Sequence, residues 1–268
     1  MRKLKLLSLF TLPALLVAFV AGAATTNVVV TPSNMQDWGF LIETGTDSVG
    51  EIVAGPGTPP FGDASARLQT VNSADGIVLG KLGYGGTKLA DLEELVYSTY
   101  RSAGGDALAI SLQFNIDADV TDADDTWQGR LVFEPYYTET VETGEWQTWD
   151  TMNQGKWWGT GAVVSAECSI GSPCTFDEVL SAFPNIGVHN TLGAVLFRAG
   201  SGWAGFDGNV DGLKIGLAGD VTIYDFELDP VINDPSDKDE CKDGGWMDFG
   251  FKNQGQCIRF VNTDQDSR

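Results

Sequence analysis

The chain has 268 residues, of which 37 are acidic and 16 basic, with 43% apolar residues, a single histidine and four cysteines. A net charge of -21 repels phosphates and anionic lipid headgroups, which argues against nucleic acid or a membrane surface as partner. His189 alone cannot build a multi-histidine metal centre, and no Gly-x-Ser-x-Gly elbow, phosphate-binding glycine loop or zinc-protease helix motif is present.

The chain opens on Arg2, Lys3 and Lys5, then an apolar run from Leu6 to Val20, then Ala21-Gly22-Ala23-Ala24. A basic start, a short apolar stretch and small residues at the exit predict a cleaved secretory leader at residues 1–24. The run falls short of the roughly 20 apolar residues that span a bilayer. Its removal takes three cations and no acid, moving the net charge from -21 to -24. The expected product is secreted, extracellular or on the cell surface, with no membrane insertion.

Strands are predicted at Val28–Thr31, Ile77–Leu82 and Leu95–Arg101, with a rigid Gly-Pro loop at 54–62 and a short helical turn at Leu89–Leu92. Leu108, Ile110, Leu112, Phe114 and Ile116 then alternate with smaller or polar residues, the period-two signature of a half-buried strand. It runs into a loop holding Asp117, Asp119, Asp122, Asp124 and Asp125. Those oxygens are candidate structural calcium ligands, because crowded carboxylates repel one another without a cation. An EF-hand is excluded: counting from Asp117 puts Asp122 where glycine is required and Gln128 where glutamate is required, and counting from Asp122 puts Trp127 and Phe133 there. The alternative is a set of solvated turn residues. Asp207 and Asp211 are secondary candidates for the same ion.

A strand at Arg130–Tyr137 precedes a segment rich in aromatic residues. Tyr136, Tyr137, Trp146, Trp149, Trp157 and Trp158 lie among polar and glycine residues. Flat rings beside amide and carboxyl groups suit carbohydrate, whose CH faces stack while its hydroxyls bond polar neighbours. The alternative for any one of these rings is core packing. Cys168 and Cys174 form one local pair and Cys241 and Cys257 another, which predicts two disulfides. A four-cysteine zinc site would require tighter spacing.

Between the pairs, Thr175-Phe176-Asp177-Glu178 is a capping box for a short helix carrying Val179, Leu180 and Phe183, expected as a crossover between sheets. His189 reads as a hydrogen-bonded turn residue before a strand at Leu192–Arg198. Further strands are predicted at Val210–Leu217 and Val221–Leu228. Residues 229–240 form an acidic, proline-containing linker, and residues 241–268 a small disulfide-closed tail around Trp246, Phe249 and Phe251. Many short strands with turn residues between them predict an all-β antiparallel sandwich, or jelly roll, over residues 25–228.

Two stretches carry a resemblance. "FDGNVDGLKIGLAGDVTIYDFE" (206–227) resembles the closing strands of concanavalin A-like, laminin G-like sandwiches. "CKDGGWMDFGFKNQGQC" (241–257) is similar to a terminal element of secreted prokaryotic proteins that pair it with such a domain. The resemblance implies a concanavalin A-like fold and assigns no activity. Some hydrolases of that superfamily carry Glu-x-Asp-x-Glu on one strand; here the stretch reads Asn115-Ile116-Asp117-Ala118-Asp119, with asparagine in the nucleophile's place. The expectation is therefore a secreted, non-catalytic module that binds carbohydrate or a cell-surface partner. The competing expectations are a polysaccharide-degrading enzyme with differently placed carboxylates, and a surface or assembly protein that self-associates.

Overall fold

The computed structural model describes residues 24–231 and 233–268. The leader expected at residues 1–24 lies, Ala24 apart, outside the described residues. Two seven-stranded sheets pack face to face, and the all-β sandwich stands.

The front sheet runs β10 (Trp157–Gly159), β8 (Arg130–Phe133), β7 (Ser111–Asp117), β12 (Val195–Gly200), β5 (Gly76–Lys81), β2 (Trp38–Thr44), with β11 (Gly187–Val188) also pairing β7. In the back sheet β13 (Asp207–Leu217) pairs along one edge with β6 (Leu92–Ala103), which carries β9 (Trp146–Asp150). The other edge of β13 is shared. Its first residues pair β4 (Ala64–Gln69) and β3 (Val49–Ala54) beyond it; its last pair β14 (Asp220–Phe226) and β1 (Thr25–Val30) beyond that. All these pairings are antiparallel except β1 with β14.

At the fork, Asp211 is fully buried and accepts the amides of Phe61 and Phe226, each at 3.1 Å, so one carboxylate satisfies backbone donors on both diverging branches. Gly212 follows it with φ +66°, and a Cβ there would meet the Phe61 ring at 2.7 Å. Burial pushes Asp211 up to about 7, despite those amides.

Strict alternation sends one side-chain set from each front strand into the core. Leu112, Phe114 and Ile116 of β7 are at most 1% exposed and meet Leu131 and Phe133 of β8, Phe197 of β12 and Trp157 of β10 in one cluster. Trp157 touches Phe114, Phe133 and Phe176 with ring centres 5.5 to 5.8 Å apart, and its Nε1 donates to the Thr151 carbonyl at 2.9 Å. Trp149 is buried against the back sheet, its Nε1 donating to Thr99 Oγ1 at 2.8 Å. These two rings are core residues, and neither offers a face to a ligand.

The expected helix forms as α2 (Phe176–Ala182), after the four-residue α1 (Ala162–Ser165). Both halves of the capping box are made: Thr175 Oγ1 accepts from Glu178 N at 3.2 Å, and Thr175 N donates to the Glu178 carboxylate at 2.7 Å. Contrary to the expected crossover between sheets, the helix links β10 to β11 within the same sheet. The Cys168–Cys174 bridge lies just before it, and Cys174 pairs with Trp157 through two backbone bonds, tying the bridge to β10. The strand expected over Arg130–Tyr137 stops at Phe133, because Pro135 has no N–H for a ladder and starts a 3-10 turn over Pro135–Tyr137.

In the tail, Cys241 bonds Cys257, and both are buried with Phe251. The second cysteine sits on α3 (Gln254–Thr263), a helix where only a loop was expected. Arg268 lies 5.0 and 5.1 Å from the ring centres of Phe251 and Phe260.

Candidate functional site

The side chains that alternation sends outward from the front sheet form the floor of an open groove of about 680 Å³. Trp158 of β10, Val132 of β8 and Gln113 of β7 lie in one register row. Arg130 and Arg198 rise from β8 and β12, and Glu134 follows the end of β8. The walls come from loops: Trp127, Tyr136 and Ile170 among them, with Leu108 and, after β12, Trp203. Trp127 and Tyr136 are 50% and 39% exposed, a large apolar area left in water around a polar floor.

Glu43, at the end of β2, organises that floor. It accepts from Arg198 Nε at 2.7 Å and from Arg130 Nη2. Burial alone would push Glu43 up, but the hydrogen bonds and charges of the two guanidinium groups outweigh it and hold the carboxyl below its usual value. Arg130 lies flat over β7, donating also to Asn115 Oδ1 at 3.0 Å and Gln113 Oε1 at 3.3 Å. This explains why β7, expected to be half exposed, is covered on both faces.

Glu134 behaves oppositely: burial pushes it up, with the Tyr136 hydroxyl, the Trp158 indole and Arg198 acting in the other sense. The Trp158 Nε1 is buried and closes no hydrogen bond of ordinary geometry, although it lies near enough to favour the Glu134 carboxylate.

Of the six aromatic residues singled out in the sequence, Trp158 and Tyr136 reach the groove. Tyr137 packs on Tyr136 at 4.2 Å and donates to the Ile170 carbonyl, buttressing the wall. Trp146 lies on the other sheet, beside Tyr100, with its Nε1 on the Pro56 carbonyl. Trp149 and Trp157 are in the core. Sequence reasoning missed Trp127, Trp203, Arg130 and Arg198 as a set. The usable signal was parity: in β8, odd residues Leu131 and Phe133 point inward, so Arg130, Val132 and Glu134 must share the outer face.

The aspartates build their own loop. Asp117 Oδ1 accepts from Asp119 N, Asp119 from Thr121 N, Asp122 from Asp124 N and Asp124 from Thr126 N, a ladder of Asx turns at 2.7 to 3.0 Å. Asp125 takes the Thr191 hydroxyl at 2.9 Å. Among the described residues no group of three or more His, Cys, Asp or Glu is placed to hold a metal ion. Asp207 forms a two-point pair with Arg67, at 2.8 and 2.6 Å. His189 is buried; its Nδ1 accepts from the amides of Thr191 and Leu192, which leaves Nε2 to donate to the Thr126 carbonyl at 3.2 Å. It braces the loop that ends in Trp127, a structural role as expected.

No protein-family model matches the chain, and no curated protein matches it. Among solved structures it is similar to a family 11 carbohydrate-binding module from Clostridium thermocellum in complex with a β-1,3-1,4-mixed-linked tetrasaccharide, at 12% identity over 68% of this chain and 89% of that one, with a TM-score of 0.36. A likeness this distant carries no information about a ligand.

Proposed function

We propose that the chain is a secreted, non-catalytic recognition module that binds a glycan in the groove of the front sheet. The observation that carries this reading is the groove itself: Trp127, Trp203 and Tyr136 surround a floor of Trp158, Gln113, Arg130, Arg198 and Glu134. Ring faces suit the CH surfaces of a sugar, and the fixed polar groups suit its hydroxyls. The two disulfides and the basic, apolar leader support export. Glu134 is the one carboxylate lining the groove, with Glu43 engaged by two arginines, whereas hydrolysis by paired carboxylates needs two that are free to act.

Retention in polysaccharide-containing native gels tests the reading. Trp158→Ala and Trp203→Ala should each abolish retardation while the far-UV spectrum and urea midpoint stay close to the parent. Retention that survives both changes would move the site elsewhere.

A second reading has its own observation. On the same outer face, beyond Glu43, Leu41, Leu82 and Leu192 are 62%, 61% and 50% exposed beside the packed Val78, Ala194 and Leu196. Such a strip suits a protein contact, including self-association. Sedimentation at increasing protein concentration tests it, and a strictly monomeric chain would remove the self-associating form.

A further inference from the structure

The hydrogen-bonding balance of the groove is lopsided. Each guanidinium carries five N–H groups. Arg130 commits three, to Asn115, Gln113 and Glu43. Arg198 commits two, to Glu43 and to the Gly200 carbonyl. Five N–H groups between them have no acceptor among the described residues. Against these, the groove lining offers one carboxylate, Glu134, and the hydroxyls of Tyr136, Thr160 and Ser201, which donate as well as accept, while Gln113 Oε1 is already taken by Arg130.

A sugar hydroxyl both donates and accepts, so a ligand bearing only hydroxyls uses a balanced lining best. A carboxylate only accepts, and its two oxygens match the planar fork of a guanidinium. Glu43, on the edge strand β2, adds to this by holding both arginines in place, so their side-chain entropy is already spent before a ligand arrives. Counting Glu43 and Glu134, the two cations are balanced, which makes the groove neutral ground on a chain of net charge -21. Repulsion from the rest of the surface is screened beyond about 8 Å at physiological ionic strength, so it slows the approach of an anion more than it weakens the contact.

Resting on the glycan-binding reading above, the geometry points to a ligand whose sugar units carry a carboxylate, a uronic-acid glycan, with that carboxylate seated on Arg198 and Arg130. Glu134, whose ionisation burial already disfavours, is the like charge such a ligand would meet.

Calorimetric titration at about 0.15 M salt with short oligosaccharides in matched pairs tests the inference. The pairs are oligogalacturonate against its methyl ester, and a glucuronic-acid-substituted xylo-oligosaccharide against its carboxyl-reduced form. The acid member of at least one pair should bind about tenfold tighter than its neutral partner. Glu134→Gln, which keeps the shape and removes the competing charge, should tighten the acid form several-fold. Equal or tighter binding of the neutral members would overturn the carboxylate inference and leave the glycan reading in place. So would tight binding of sulfated oligosaccharides with no binding of the carboxylated ones. Binding of no member of any pair would count against both readings. Weaker binding of the acid form by Glu134→Gln would also overturn the seating on the two arginines.

Discussion

Glu43→Gln removes the charge that the two groove arginines share while keeping nearly the same volume. The three side chains of this triad, Arg130, Glu43 and Arg198, are 18%, 19% and 20% exposed. Stripping one partner from a buried ion pair costs about 3–5 kcal/mol. Partial exposure, and the amide oxygen that can still accept from one guanidinium, reduce this to about 2 kcal/mol. The loss should carry a pH signature. Glu43 titrates below its ordinary value of 4.5 in the folded protein, so its stabilisation is present above that value and disappears as pH falls through the folded one. Urea titrations near pH 7 and near pH 3 read both effects: the variant should be weaker near neutrality, and the gap should close on acidification. A difference under about 0.5 kcal/mol near pH 7, or one that does not change with pH, would refute the shared-counter-ion account.

Adjacent tryptophans should behave in opposite ways: Trp157→Ala should cost about 3–5 kcal/mol by opening a core cavity, while Trp158→Ala should change stability by about 1 kcal/mol or less, both read from urea midpoints. Asp211, pushed up to about 7 by burial, binds a proton in the folded state that the unfolded chain has released; its favourable contribution is complete below 3.8 and lost as pH rises to about 7. Asp211→Asn should therefore flatten the stability profile between those limits, and an unchanged slope would show that the carboxyl is ionised in the fold. Cys257→Ser should remove about 3 kcal/mol from the tail, detected as protease cutting confined to residues beyond 240 while the sandwich resists. Because the aspartate loop is closed by its own amides, the melting temperature should be the same with millimolar calcium as with chelator; a rise of several degrees would show that the native state takes up the ion.

How far the sequence discloses this molecule depends on how much each segment decides locally. β7 is legible because its alternation is long and uninterrupted, β13 and β14 because the Ala218-Gly219 turn separates two apolar runs even though β13 shifts register between Asp211 and Lys214, and both disulfides because their partners are near in sequence. β2 and β3 are not: as edge strands, Trp38–Thr44 and Val49–Ala54 bury only scattered residues, so no clean period marks them. The tryptophan cluster misleads for a related reason. Four rings within thirteen residues look like one patch, yet a turn divides them between two sheets, and period two then separates Trp157 from Trp158. Trp127 and Trp203 stand alone among Asp, Gly and Ser, and nothing near them in the chain shows that folding brings both to the groove. The pairing of Arg130 with Glu43 joins residues 87 apart in sequence, a contact set entirely by strand order.

The alternation that floors the groove has an evolutionary corollary. Gln113, Arg130, Val132, Trp158 and Arg198 stand on a lattice whose neighbours are about 7 Å apart along a strand and about 5 Å apart across strands, each rooted beside a residue that belongs to the core. A mutation at a lattice point changes one outward-facing chemical group at a known spacing and leaves the hydrophobic half of the same strand untouched. Such a surface can change its chemistry by single substitutions while the core face of each strand stays intact. Glu43 is the exception, since two lattice points depend on it, and it marks where that freedom stops.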